Sequence, residues 1–90
     1  MNILQTPTFR KYVKKMHKNQ KKYLDQAINK IAQNPSIGEM KKGDLSGVLV
    51  YKFKIINKLI LLAYQFDDDE DLLVLLALGS HENFYRDLKR

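Results

Sequence analysis

Apolar residues fall at helical spacing near the start of this chain and alternate with polar ones past its middle. Phe9, Tyr12, Val13 and Met16 stand at i, i+3, i+4 and i+7, one face of an α-helix. Thr6-Pro7 sits just ahead of them: Thr caps free N–H groups, and Pro is tolerated in a first helical turn. Leu24, Ala27, Ile28, Ile31 and Ala32 repeat the template and predict a second helix over 19–33, which Asn34-Pro35 ends. Residues 35–47 contain Pro35, Gly38, Gly43 and Gly47 and read as loop. Over 48–56 the period becomes two, with Tyr51, Phe53 and Ile55 on one side and Val50, Lys52 and Lys54 on the other. A two-residue turn at Asn57-Lys58 would set Lys54 opposite Leu61 and Lys52 opposite Ala63.

Residues 59–66 are apolar on both faces, as a central strand is. An acidic run closes the next hairpin, 71–78 forms a third strand, and Gly79-Ser80 breaks it. Residues 81–89 then make a short helix pegged to the core by Phe84 and Leu88, four apart. With 2–5 as an edge or first strand, the order is β-α-α-β-β-β-α. That is one α+β domain over residues 1–90: an antiparallel sheet packed against an N-terminal helical hairpin, with a short C-terminal helix.

Charge adds direction to this outline. The net charge is +6, but residues 1–24 hold seven cations and no acid: Arg10, Lys11, Lys14, Lys15, Lys18, Lys21 and Lys22. Half of the ten acids form one run, Asp67, Asp68, Asp69, Glu70 and Asp71. The remainder of the chain attracts polyanions, either nucleic acid or an acidic protein, unless it is simply a well-solvated lysine surface. Cysteine is absent, which excludes disulfides, thiolate chemistry and cysteine zinc sites. The run from Leu72 to Leu78 is too short to span a bilayer, and the first residues do not resemble a secretory leader. A cytoplasmic protein without a membrane partner is expected.

Two groups of residues suggest chemistry. Lys52 and Lys54, two apart on a strand, point the same way and suit a phosphate with developing charge, although the solvent side of a half-covered sheet carries lysines too. His81 follows the third strand and has Tyr85 at i+4. An imidazole exchanges protons near neutral pH. RNA cleavage by its own 2′-hydroxyl needs a base for that hydroxyl, an acid for the leaving 5′-oxygen and cations around the phosphorane, and these four side chains cover all three. Tyr85 can instead stack on a base; the plain alternatives are a capping His81 and a Tyr85 at the rim of the core. His17 reads as surface, and no second His or Cys stands at metal-ligand spacing. The acidic run lacks the glycine and terminal glutamate of a calcium loop and reads as a soluble hairpin tip. No metal or cofactor is expected.

These residues resemble the RelE/ParE superfamily of toxins from type II toxin–antitoxin modules. The resemblance covers nearly the whole chain. It rests on size, element order, the basic helical hairpin and the runs Val50-Tyr51-Lys52-Phe53-Lys54, Ala63-Tyr64-Gln65 and Leu78-Gly79-Ser80-His81-Glu82. It implies a small acidic antitoxin as partner. RelE-like members cut messenger RNA in the ribosomal A site without a metal, with strand lysines similar to Lys52 and Lys54. His81 resembles the histidine of the YafQ-like members, and Tyr85 the aromatic residue near the C-terminus. RelE itself has an arginine where Leu61 stands, for which Arg86 or Arg10 would have to substitute.

Three functions follow as expectations. The first is a ribosome-dependent endoribonuclease: His81 as acid or base, Lys52 and Lys54 on the phosphate, Tyr85 on the base or in proton relay. In that reading Arg10, Lys11, Lys14, Lys15, Lys18, Lys21, Lys22 and Arg86 meet RNA and the ribosome. The second is a ParE-like, non-enzymatic toxin of DNA gyrase, favoured by Leu61 and disfavoured by the lysine pair. The third is a basic nucleic-acid-binding domain without toxicity.

Overall fold

The computed structural model describes residues 1–80 and Phe84. The helix expected over 81–89, with Leu88, otherwise lies outside the described residues. Strand β1 (Asn2–Gln5) leads into α1 (Pro7–Lys14) and α2 (Lys18–Gln33). A strap follows, containing 3-10 turns at Pro35–Ile37 and Gly43–Leu45 and the short strand β2 (Glu39–Met40). Strands β3 (Leu49–Ile55), β4 (Lys58–Asp67) and β5 (Leu72–Ser80) complete one five-stranded sheet, ordered β1-β5-β4-β3-β2. The architecture is α+β, as the pattern predicts.

The sheet departs from expectation in three details. It is mixed, because β1 pairs parallel to β5. The loop reading of 35–47 missed β2, which pairs with Leu49 and Val50. Gly79-Ser80 does not end β5: Gly79 is buried opposite Leu61, and Ser80 lies opposite Ile60.

Thr6 fastens the start of α1. Its Oγ1 accepts the N–H of Phe9 at 3.2 Å and donates to the Leu76 carbonyl at 2.6 Å. The register of β4 on β5 shifts between Ala63 and Tyr64, so Leu76 is the extra residue of a bulge. The cap and the bulge therefore meet in one hydrogen bond. α1 and α2 bury Phe9, Leu24 and Ile31 against Leu49, Ile55, Ile60, Leu62, Tyr64, Leu73, Leu75 and Leu78. The far face carries a smaller cluster of Val48, Val50, Leu61, Ala63, Ala77 and Phe84, with Leu45 and Leu76 at its edge. Phe84 thus packs into the core, as its spacing suggested.

Two hairpin turns join the long strands. Ile55 pairs with Lys58, so the β3–β4 loop is Ile56-Asn57 and not Asn57-Lys58. Ile56 has φ +59, with Asn57 at negative φ, the pattern of a II′ turn that glycine normally begins. A β-branched side chain there costs roughly 1–2 kcal/mol. The β4–β5 turn instead uses Asp71 at φ +49, a residue type that tolerates this region. Asp67 Oδ1 braces it by accepting the N–H groups of Asp69 and Glu70 at 3.1 and 3.3 Å.

Candidate functional site

Strand alternation takes β3 out of the far-face cluster at Val50 and sets Lys52 and Lys54 on that same face. The two Cα atoms are about 7 Å apart by strand geometry. Both side chains are exposed. The two-residue turn at Ile56-Asn57 places Lys54 opposite Leu59 and Lys52 opposite Leu61, correcting the expected partners Leu61 and Ala63. Gly79 extends the Lys52–Leu61 rung across β5, making a row about 10 Å wide. Leu61 is fully buried in the cluster that includes Phe84, so the ammonium groups stand at the margin of a closed apolar patch.

No described residue forms an ion pair or side-chain hydrogen bond with Lys52, Lys54 or Lys58. The sequence has no acid between Asp44 and Asp67. The cations of this hairpin are therefore left for an external anion. The glycine at the end of the row is buried, and a Cβ there would meet the Phe84 ring at 3.8 Å and the Tyr12 ring at 3.9 Å.

The helical cations occupy a different surface. Arg10, Lys11, Lys14, Lys15, Lys18, Lys21 and Lys22 are all exposed on α1, α2 and their connection. These helices cover the opposite face of the sheet from Lys52 and Lys54. Arg10 therefore does not replace an arginine at Leu61: the sheet stands between them. His17 is exposed at the head of α2, where its backbone N–H donates to Gln20 Oε1 at 3.0 Å. His81, Tyr85 and Arg86 lie outside the described residues. Among the described residues, no three His, Asp or Glu side chains are grouped to hold a metal ion. No described helix is long and apolar enough to cross a membrane.

Two features near the site escaped sequence reasoning. A shallow hollow of about 70 Å³, lined by Tyr12, Met16, Gln20, Ile55, Lys58 and Ile60, opens on the helical side of the β3–β4 hairpin. At the other end of that hairpin, the buried Tyr64 hydroxyl donates to the Pro35 carbonyl at 2.6 Å and accepts the Gly38 N–H at 2.9 Å. This latch pins the strap that supports β3. A Cβ on Gly38 would stand 2.7 Å from that hydroxyl oxygen, so the approach requires glycine. Burial raises the Tyr64 pKa above its ordinary 10.0, against an opposing pull from the Gly38 N–H.

Known proteins share this architecture. The family described as the ParE-like toxin of type II bacterial toxin–antitoxin systems matches residues 3–89. The structure is similar to the toxin–antitoxin complex RelBE2 of Mycobacterium tuberculosis: TM-score 0.74 and 18% identity over 89% of this chain and 96% of that one. It is similar to the intact E. coli RelBE toxin–antitoxin complex: TM-score 0.71 and 18% identity over 90% of this chain and 96% of that one. The YoeB/ParE toxin of Agrobacterium tumefaciens gives a TM-score of 0.70 and 16% identity, over 90% and 99% of the two chains. At such identities the likeness concerns the fold alone. A comparison with curated proteins finds no match.

Proposed function

Since the chain belongs to the ParE-like toxins of type II bacterial toxin–antitoxin systems, we propose that it is the mRNA-cleaving kind, acting on the ribosome. The observation that carries this reading is the pair Lys52 and Lys54: exposed, unpaired among the described residues, and set two apart on one face of one rigid strand. Two fixed ammonium groups neutralise charge that builds on a phosphorane, which is worth most where the donors need not reorganise. The ribose 2′-oxygen attacks phosphorus, its proton passes to a base, and the bond to the 5′-oxygen breaks as that oxygen takes a proton. The products are a cyclic phosphate and a free 5′-hydroxyl. His81 supplies the acid or base on the strength of its titration range, and Tyr85 orients the base or relays a proton. The helical cations, on the opposite face, dock on ribosomal RNA.

The relatives solved with their antitoxins support an antitoxin partner here, and a chain of charge +6 suits an acidic one. One observation favours a second reading, inhibition of DNA gyrase. Leu61 is buried and apolar on the central strand, so no charged group stands there to clamp a phosphate.

Primer extension on translating ribosomes tests the choice. Wild type should leave new transcript ends, and His81→Ala and the double variant Lys52→Ala/Lys54→Ala should not. Intact transcripts with wild type, together with loss of supercoiling by purified gyrase, would replace the nuclease with the second reading.

A further inference from the structure

Ile56 is poorly suited to its position. It begins a two-residue turn at φ +59, where glycine or asparagine is at ease. It is also 63% exposed, so no packing offsets the strain. Leu59, 38% exposed, lies across from Lys54 just behind it. Neither folding nor solubility calls for an isoleucine here, and strain kept at an exposed tip points to a ligand.

The surroundings indicate which ligand. Ile56 follows Lys52 and Lys54 at the end of the same strand, and Leu59 lies on their face, while Lys58, paired with Ile55, turns to the helical side. Asn57 offers an amide at the apex. Apolar groups interleaved with cations match a strand of alternating phosphates and flat base faces. A closed turn offers no free ladder for a peptide strand, and a convex tip offers no groove for a helix. We infer that Ile56 is a wedge that packs against an unstacked base of the RNA whose phosphates Lys52 and Lys54 hold. Apolar side chains serve as such wedges between bases elsewhere. The inference rests on the nuclease reading and adds a binding residue to it.

The experiment compares Ile56→Gly with wild type in the full chain. Thermal melting should show Tm rising by about 3–6 °C as strain is relieved. Cleavage of mRNA on programmed ribosomes should show KM rising roughly five- to tenfold, with kcat kept, because a binding contact is lost. Asp71→Gly relaxes the equivalent position of the other hairpin and should leave KM unchanged. A wild-type chain that cuts no RNA removes the nuclease reading and this inference together. An active wild type with an unchanged KM in Ile56→Gly removes the wedge alone. Weaker antitoxin binding with an unchanged KM would make the tip a protein contact and also overturns the wedge. A fall in Tm would assign Ile56 to folding.

Discussion

The two ends of the sheet solve the same geometric problem in opposite ways. Each has a hairpin turn that needs one residue at positive φ. The β4–β5 end uses Asp71, braces the turn through the Asp67 carboxylate, and latches the nearby strap with Tyr64. The β3–β4 end uses Ile56, and no described group forms a side-chain hydrogen bond or ion pair with Lys52, Lys54, Asn57 or Lys58. One end braces its turn from within, although the side chains of Asp68, Asp69 and Glu70 form no ion pair among the described residues. The other holds strain and unpaired charge that folding does not require. Where a chain leaves groups unsatisfied in that way, a binding partner is the physical reason to look for first.

Three changes press on that contrast. Lys52→Ala/Lys54→Ala should lower RNA cleavage by roughly 100-fold or more while thermal melting stays within about 2 °C of wild type; a large drop in Tm would mean the pair stabilises the fold. Tyr64→Phe should do the reverse. It strands the Pro35 carbonyl and the Gly38 N–H and should cost about 1–2 kcal/mol in chemical denaturation, with kcat for cleavage kept. The same tyrosine gives a pH test. Its folded pKa is raised, so its contribution to stability is complete below pH 10.0 and lost as pH climbs through the folded value. Wild type should therefore weaken above pH 10.0, and Tyr64→Phe should show a flatter decline. The smallest effect is expected for Asp67→Ala, about 0.5–1 kcal/mol from the lost brace, with cleavage untouched; lost cleavage would extend the site to the acidic end.

Much of this arrangement was legible as pattern. The spacing of Phe9, Tyr12, Val13 and Met16 marks a helix because burial of one stripe dictates it, and Thr6 caps it as its chemistry suggests. Period two sets Lys52 and Lys54 on one face of β3. The turn between them and β4 was misplaced by one residue because turn preferences favour asparagine first and disfavour isoleucine at positive φ. That local preference loses to the apolar register of Ile60 and Leu62 against β3. β2 was invisible because two residues carry no periodicity, and its position follows from the Tyr64 hydroxyl, which reaches back to Gly38. The parallel sense of β1 comes from its tertiary partner, which four residues cannot encode.

The hydrogen bond from Thr6 to Leu76 joins residues 70 apart in sequence. The first strand and the cap of the first helix thus have no docking place until the last long strand exists. During synthesis the N-terminal segment must wait for β5 before it can dock, a long-range closure that comes after the local contacts. Thr6→Ala should accordingly speed unfolding and leave the folding rate alone in stopped-flow measurements. A toxin built this way cannot seat its first strand or anchor its first helix before β5 has been made.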